Sequence, residues 1–282
     1  MATGSCLCAT LRWQLDGPFG DMRHCHCTMC RKAHAAAFAT YVDVPGDSLA
    51  WTAGERALVT YSASPQFERA FCGTCGSVVP CKGSDGRFFA PAGCFDDDAG
   101  IRPVGHIFVA SKAPWHNIAD DLPQHATWPQ AHAAPVFELE RDGASEAGVL
   151  RGSCLCGEAV YEVTGEIEFV HNCHCSRCRK ARAAAHTTNG FTVAGGVRYL
   201  QGAELLRKYK VPDAEYFTHT FCNVCGSGMP RPDAATKYVS IPFGTLDDDP
   251  GRGADDHIYT AYKAGWYDFD DGLPVYKERP NA

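Results

Sequence analysis

Fourteen of the sixteen cysteines in this 282-residue chain form one pattern that occurs twice. Each copy contains C-x-C, then C-x-C-x-x-C, then C-x-x-C. The first copy comprises Cys6, Cys8, Cys25, Cys27, Cys30, Cys72 and Cys75, and the second comprises Cys154, Cys156, Cys173, Cys175, Cys178, Cys222 and Cys225. The offset is 148 residues for the first five cysteines and 150 for the last two. This register predicts a tandem repeat built around metal sites.

Residues other than cysteine repeat in the same order. The matched segments are Gly4-Ser5 and Gly152-Ser153, Phe71 and Phe221, His106-Ile107 and His257-Ile258, and Leu122-Pro123 and Leu273-Pro274. Residues 142–149 are polar and small and include glycine, which is typical of a linker. We therefore predict a first zinc domain over residues 1–141, a linker over 142–149 and a second zinc domain over 150–282.

The composition is that of an acidic globular protein, with a formal charge of −7 and 45% apolar residues. No apolar stretch approaches the length of a membrane span, and the N-terminal residues lack the features of a signal peptide. We expect a cytoplasmic protein that does not bind membranes, and the acidic balance disfavours nucleic acid as a partner. Cytosolic thiols stay reduced, and C-x-C pairs are too tight for ordinary disulfide geometry, so the cysteines favour metal over disulfides.

Short alternating segments indicate β-strands. Apolar residues alternate with polar ones at Leu11, Trp13 and Leu15, and again from Ala159 to Val163. Apolar and polar residues also alternate over 217–221, which leads into a C-x-x-C turn, and over 257–262. Amphipathic helices are scarce, although residues 33–37 could form a turn or two of helix. We predict a mainly β chain made of two small domains pinned by metal.

Each C-x-x-C motif places two thiolates on one tight turn, where both can reach a tetrahedral ion at about 2.3 Å. The C-x-C motif at the start of each repeat can supply the other two ligands. We predict two closed four-thiolate sites of structural function, and their spacing favours zinc over iron. Their ligands are Cys6, Cys8, Cys72 and Cys75 in the first repeat, and Cys154, Cys156, Cys222 and Cys225 in the second. Cys81 and Cys94 lie outside the repeated set and are expected to be ordinary buried residues.

The C-x-C-x-x-C motif supplies only three thiols, which leaves a fourth position open for water or substrate. An open zinc site is potentially catalytic, so the chain would hold up to four zinc ions. The predicted catalytic ligands are Cys25, Cys27 and Cys30, with Cys173, Cys175 and Cys178. The alternative is that another residue closes each site. His26 and His174 are poor candidates because adjacent side chains diverge, and His106 and His257 are more typical of packed, hydrogen-bonded histidines.

Basic and aromatic residues near the open clusters could bind an anionic substrate. The basic pairs directly follow the last thiol of each cluster. An equal alternative is that they form a solvated face that offsets the negative charge of the site. A buried tryptophan is more often part of the core than of a pocket. The candidate substrate-binding residues are Arg31, Lys32, Arg179, Lys180, Trp115 and Trp266.

The motifs G-S-C-L-C, C-H-C-x-x-C-R-K-A, F-C-x-x-C-G-S and K-A-x-W, in this order in both repeats, resemble the glutathione-dependent formaldehyde-activating family, which includes centromere protein V. The resemblance covers nearly the whole chain, twice. It implies a β-tent fold in each repeat, a four-cysteine structural zinc and a second zinc on C-x-C-x-x-C. The chain departs from the simplest pattern of the family because it fuses two copies. The fusion would make a monomer that imitates a dimer, or the chain could form a homodimer.

The resemblance implies a zinc-dependent carbon–sulfur lyase that forms S-hydroxymethylglutathione from glutathione and a small aldehyde, formaldehyde. The leading hypothesis from the sequence is therefore an enzyme that acts on thiol adducts. A non-catalytic, zinc-stabilised protein-binding module is the alternative from a different class, and zinc storage or sensing is a third. Accessibility of the open clusters to a thiol would distinguish the enzyme from the module.

Overall fold

The computed structural model describes residues 1–65, 67–129, 136–137, 139, 146, 148–231 and 237–280. The predicted linker, 142–149, is represented only by Glu146, Gly148 and Val149, and its other residues lie outside the described ones. Over the described residues the chain is mainly β, with two short α-helices and six single-turn 3-10 helices. Neither α-helix is long and apolar enough to cross a bilayer.

The first repeat contains eleven described strands and one helix. The strands are β1 (Ala2–Ser5), β2 (Arg12–Leu15), β3 (Met22–Cys25), β4 (Ala39–Val44), β5 (Leu49–Ala53), β6 (Leu58–Ser64), β7 (Phe67–Cys72), β8 (Val78–Val79), β9 (Cys81–Lys82), β10 (Phe88–Pro91) and β11 (Pro103–Ile107), and the helix is α1 (Thr28–His34).

The second repeat contains nine described strands and one helix in the matching order. The strands are β12 (Leu150–Ser153), β13 (Val160–Val163), β14 (Phe169–Cys173), β15 (Thr187–Val193), β16 (Val197–Gln201), β17 (Leu206–Lys210), β18 (Thr218–Cys222), β19 (Tyr238–Pro242) and β20 (Asp256–Ile258), and the helix is α2 (Ser176–Arg182).

Each repeat consists of three small sheets that follow the same plan. In the first repeat, the sheet orders are β1-β2-β5, β11-β3-β4-β10-β9 and β6-β7-β8. In the second, they are β12-β13-β16, β19-β15-β14-β20 and β17-β18. β11 runs parallel to β3, and β20 runs parallel to β14, whereas the other pairs are antiparallel. The larger sheet carries the open cysteine cluster at the end of β3 or β14.

The predicted alternation in β2 and β13 is confirmed, because the side chains of Trp13, Tyr161 and Val163 are all buried. Trp13 and Tyr161 also explain why glycine recurs in G-S-C-L-C. Gly4 pairs with Trp13 across the ladder, and a Cβ on Gly4 would lie 2.4 Å from the indole ring. Gly152 faces Tyr161 in the same way, with 2.2 Å between such a Cβ and the phenol ring.

Two local predictions differ from the structure. The alternation over residues 257–262 continues as a strand only to Ile258, because Tyr259 adopts a left-handed conformation, with φ 57°, and a 3-10 turn follows. The helix expected after the first open cluster instead starts inside it, at Thr28, and ends at His34. Ala35 stops it, because its left-handed conformation lets its backbone N–H bond back to the last turn.

The repeats pack directly against each other through reciprocal close contacts. A Cβ on Gly93 would lie 2.3 Å from the backbone of Ala183, and one on Gly244 would lie 2.1 Å from the backbone of Ala36. Only glycine allows the backbone of one repeat to approach the end of the helix in the other so closely. The aromatic rings of Phe71 and Phe221 meet edge to face at 6.4 Å between centroids.

Candidate metal centres

The four-cysteine groups are assembled from the segments that the sequence predicts. In the first repeat, the turn after β1 brings Cys6 and Cys8 to the turn that follows β7, where Cys72 and Cys75 lie. The Sγ atoms of Cys6 and Cys8 are 3.4 Å apart, and those of Cys8 and Cys72 are 3.8 Å apart. In the second repeat, the matching distances, Cys154 to Cys156 and Cys156 to Cys222, are 3.3 and 3.9 Å.

These distances fit a tetrahedral metal ion. Four sulfurs bound at about 2.3 Å from one ion lie about 3.8 Å from each other. Backbone amides also donate to the sulfurs, from Leu11 to Cys6 and from Ala159 to Cys154, both at 3.3 Å. Such amide donors orient thiolate ligands and help to offset their negative charge. Both groups can therefore hold a metal ion, and in each the four sulfurs lie within 4.8 Å of one another.

The three-cysteine clusters lie at the junction between a strand and a helix. β3 ends at Cys25, Cys27 is the N-cap of α1, and Cys30 lies in its first turn. The backbone N–H of Cys30 donates to Sγ of Cys27 at 3.3 Å, which fixes the turn. Cys173, Cys175 and Cys178 have the same arrangement, with 3.3 Å from the N–H of Cys178 to Sγ of Cys175. In each cluster the three sulfurs lie within 4.8 Å of one another.

Cys81 and Cys94 are isolated buried thiols, as expected. Burial raises the pKa of Cys81 to about 11 and that of Cys94 to about 12. Neither belongs to a group of described residues that could hold a metal ion. The thiol form is therefore the stable one at both positions near neutral pH.

A cavity of about 630 Å³ opens at the three-cysteine cluster of the first repeat. The three thiols of the cluster line it, and eight of its lining residues carry aromatic or large apolar side chains. Charged side chains lie among the other lining residues. The lining residues are Asp21, Arg23, Cys25, Cys27, Met29, Cys30, Tyr41, Asp43, Phe67, Arg69, Gly83, Ser84, Asp85, Arg87, Phe89, Ile107, Phe108, Trp128 and Phe137.

Arg69 is the buried cation of this cavity, and the sequence reasoning missed it. Its Nη2 donates to Sγ of Cys30 at 3.4 Å, and its Nη1 donates to the hydroxyl of Tyr41 at 3.1 Å. His34 Nδ1 lies 2.7 Å from the carbonyl oxygen of Arg182, so this nitrogen is the donor and His34 Nε2 accepts the Tyr41 hydroxyl at 2.6 Å. In the sequence, Arg69 directly precedes the apolar residues Ala70 and Phe71 that lead into the C-x-x-C turn, and this position does not identify a partner for its charge.

The second repeat carries its buried arginine at a different position. Arg182 stands where the first repeat has His34, and His219 stands where it has Arg69. Arg182 is buried, and burial lowers its pKa to about 10 while the nearby Cys178 thiolate favours its charged form. His219 Nδ1 donates to the carbonyl oxygen of Cys75 at 2.8 Å. Each three-cysteine cluster thus has one buried arginine near its third cysteine.

The two lysines that follow the clusters contact the opposite repeat. Lys32 Nζ donates to Ser153 and to the carbonyl oxygen of Thr245, and it pairs with Asp247 at 2.5 Å. Lys180 Nζ makes the corresponding contacts with the first repeat. It donates to Ser5 and to the carbonyl oxygen of Cys94 at 3.0 Å, and it pairs with Asp96 at 2.5 Å. Neither lysine lines the cavity at the first open cluster.

The other candidate substrate-binding residues also lie at or near the contact between repeats. Arg179 Nη1 donates to the carbonyl oxygen of Gly93 at 3.3 Å. The buried ring of Trp115 meets that of Phe243 edge to face at 5.4 Å, and the buried Trp266 lies 6.3 Å from His24. Arg31 follows Cys30 in α1 and is half-buried, and it does not line the cavity. A substrate contact of any of the six stays a prediction, and this placement gives it no support.

The recurring histidines form hydrogen-bonded chains rather than metal ligands of the thiol clusters. His26 Nε2 lies 2.8 Å from His106 Nδ1, and His106 Nε2 lies 2.9 Å from Asp120. His174, His257 and Asp271 repeat this chain, with the same two distances. The expectation that His106 and His257 are packed and hydrogen-bonded is confirmed.

The family model described as glutathione-dependent formaldehyde-activating enzyme matches residues 1–111 and 149–262. A crystal structure of a Rhodobacter sphaeroides protein, a structural genomics target, is 21% identical, covers 33% of this chain and 87% of its own, and has a TM-score of 0.28. No curated protein matches the chain. With one family match in each repeat, the chain belongs to the glutathione-dependent formaldehyde-activating enzyme family.

Proposed function

We propose that the protein is a zinc-dependent enzyme of the carbon–sulfur lyase type, which forms and cleaves adducts between a thiol and a small aldehyde. The three-cysteine cluster at the end of an open cavity carries this proposal. A purely structural cluster has no need of a cavity beside its ligands. Family membership supports glutathione as the thiol and formaldehyde as the aldehyde.

The four cysteine groups would hold up to four zinc ions. The two four-cysteine groups would hold structural zinc, because their sulfurs complete a tetrahedron. Cys25, Cys27 and Cys30, and likewise Cys173, Cys175 and Cys178, would hold a zinc with one ligand position left for the chemistry. A bound zinc supplies Lewis acidity there and stabilises a thiolate near neutral pH.

In the reaction, the thiol sulfur attacks the carbonyl carbon of the aldehyde. A carbon–sulfur bond forms, the carbonyl π bond breaks, and the thiol proton is transferred to the carbonyl oxygen. The reverse reaction releases the same two compounds, so no oxidant or reductant is needed. Arg69 contributes a fixed positive charge next to Cys30, which favours a sulfur anion at that end of the cavity. The cavity contributes proximity, because it holds both reactants beside the cluster.

Exchange NMR on a mixture of glutathione and formaldehyde tests the proposal. We expect zinc-loaded protein to accelerate the exchange between free glutathione and its hydroxymethyl adduct. The double variant Cys27→Ala and Cys175→Ala should abolish the acceleration, whereas Cys94→Ala, which removes a buried cysteine outside the metal groups, should retain it. An unchanged exchange rate with fully metallated protein would reject formaldehyde activation and favour the binding module.

A further inference from the structure

The two three-cysteine clusters share their thiols but differ in the side chains around them. In the first repeat, the cavity is bordered by charged residues of β3, β4, β10 and the segments before them. At the matching positions of the second repeat the residues are aromatic. The pairs are Asp21 and Phe169, Arg23 and His171, Asp43 and Phe191, and Arg87 and Tyr238. The repeats have therefore diverged in residues that line this cavity in the first repeat.

Four charged residues that line the cavity form two ion pairs. Arg87 Nε pairs with Asp43 at 2.6 Å, and Arg23 pairs with Asp21. Arg69, at the thiol end, is already bonded to Cys30 and Tyr41. Apart from these charges, Ser84, Asp85 and the three thiols, the lining residues are mainly apolar, and such side chains favour an uncharged part of a ligand.

Aromatic rings form much of that wall. Phe67 and Phe89 lie 5.5 Å apart between ring centroids, and Phe108 and Trp128 meet edge to face at 5.0 Å. Phe89 pairs across the ladder with Asp43, whereas its counterpart Ser240 pairs with Phe191. In this pair of strands, the aromatic ring is on β10 in the first repeat and on β15, the counterpart of β4, in the second. Phe89 of β10 lines the cavity of the first repeat.

The size of the cavity exceeds what a one-carbon aldehyde needs. A cavity of about 630 Å³ is in the range that encloses a drug-sized molecule. Formaldehyde is close in size to a water molecule, whose share of the liquid is about 30 Å³. Glutathione is polar and charged, so its adduct with formaldehyde would offer no apolar group to the rings of Phe89 and Trp128, whose burial against such a group is favourable.

We propose that the cavity of the first repeat binds thiol adducts whose aldehyde-derived part carries an apolar, ring-sized group. This inference rests on the proposed function and names the substrate class of the same site. The adduct sulfur lies at Cys25, Cys27 and Cys30, and the ring packs against Phe89 and its aromatic neighbours. The bond changes are those given above, with the ring group attached to the carbonyl carbon.

Two stable thioethers test the binding part of the inference. S-Benzylglutathione and S-methylglutathione differ in the ring and cannot release an aldehyde. By calorimetry on the zinc-loaded protein, we expect the benzyl compound to bind at least about tenfold more tightly, because one buried ring contributes more than 1.4 kcal/mol. Phe89→Ala should remove most of this preference. Phe191→Ala, which removes the ring on the matched strand pair of the second repeat, should leave it unchanged.

Exchange NMR tests the catalytic part on the same variants. Glutathione is mixed with phenylacetaldehyde or with formaldehyde, and we expect a larger acceleration for phenylacetaldehyde that Phe89→Ala lowers about tenfold. Equal acceleration of both aldehydes, or equal effects of Phe89→Ala and Phe191→Ala, would overturn the inference and leave the proposed function intact. Benzyl-selective binding without any acceleration would overturn the proposed function and retain the ligand class. Unfolding midpoints of both variants show whether a lost effect reflects misfolding.

Discussion

At the scale of single residues, the two lysines that follow the open clusters show how the repeats depend on each other. The side chain of Lys32 is 3% exposed, and its ammonium group donates to Ser153, Thr245 and Asp247 of the second repeat. A buried ammonium group with an aspartate and two carbonyl oxygens around it is a fully satisfied ion. Its role in this structure is to join the repeats.

Replacing Lys32 by Met should therefore destabilise the whole protein. The substitution keeps the length of the side chain but removes the ammonium donor to Asp247 and to the carbonyl oxygens of Ser153 and Thr245, which costs about 3 kcal/mol. Chemical denaturation measures the change in the free energy of unfolding. Lys82→Met, at an exposed lysine of β9, is the control and should change it by less than about 0.5 kcal/mol. Similar values for both variants would contradict the role given to Lys32.

His186 is a second residue whose environment has a measurable consequence. It is buried, and neither ring nitrogen has a hydrogen-bond partner among the described residues. Burial is the main cause that lowers its pKa to about 3, and the nearby His257 acts in the same direction. The rings of His174, Tyr267 and His116 also face it, at centroid distances of 5.2, 5.3 and 6.2 Å. The folded protein therefore keeps His186 neutral, although the carboxylate of Asp271 acts in the opposite direction.

His186 should therefore contribute to a fall in the free energy of unfolding in acid. The unfolded chain binds a proton at this histidine below about pH 6.5 and the folded chain does not, so lowering the pH to 5 costs about 2 kcal/mol. Between pH 7 and pH 5, the free energy of unfolding of the His186→Phe variant should fall by about 2 kcal/mol less than that of the wild type. The substitution fits the site, because the matching residue of the first repeat is the buried Phe38. Parallel stability profiles of variant and wild type against pH would refute the assignment.

At the scale of elements, one short helix organises each open cluster. Cys27 caps α1 and Cys30 lies in its first turn, so the thiols are fixed by helix geometry as well as by any metal. The four-cysteine groups differ, because they join the turns after β1 and β7, which are 64 residues apart between Cys8 and Cys72. A metal ion in the second kind of group would hold distant segments together.

Loss of a four-cysteine ligand should therefore cost more stability than loss of an open-cluster ligand. We expect Cys72→Ser to lower the unfolding midpoint strongly and to release one metal ion per chain, because structural zinc contributes directly to folding. Cys25→Ser should release metal with a smaller change in the midpoint. Metal analysis and thermal unfolding on the same samples test the difference. A larger loss for Cys25→Ser would show that the open cluster is the main metal anchor of the fold.

At the scale of the whole molecule, the two repeats form one interlocked unit. Gly93 and Gly244 bring the backbone of each repeat against the helix end of the other, and Lys32 and Lys180 cross between the repeats. The contacts are reciprocal, so each repeat both donates and receives the same kind of interaction. This is the arrangement expected of a covalently fused pair that imitates a dimer.

Separate expression of residues 1–141 and 150–282 tests this dependence. We expect each half alone to be aggregated or partly unfolded, because it would expose the surface of the contact and leave its buried lysine unpaired. Refolding the two halves together with zinc should restore a one-to-one complex. Light scattering and circular dichroism give the assembly and the folded content. Two independently stable halves would show that the contact is dispensable for folding.

Much of the architecture could be predicted from the sequence. The cysteine register determined the repeat and the two kinds of metal group, because ligand spacing is a local property of the chain. The alternation around Trp13 and Tyr161 determined the strands that bury them. The boundary at Tyr259 could not be predicted, because a left-handed aromatic residue is sterically unfavourable and is stabilised only by its tertiary surroundings.

The positions of charges across space were decided by the tertiary structure alone. In sequence, Lys32 follows a cluster and looks like a ligand for substrate, whereas Arg69 is 39 residues away from Cys30 and gives no such signal. In the folded chain, packing of the repeats buries Lys32, and the pairing of β7 brings Arg69 to the thiols. The spacing of the cysteines is a local property of the sequence, and it identifies the candidate metal groups. Which cation faces the open cluster depends on contacts between distant segments, and only the fold contains that information.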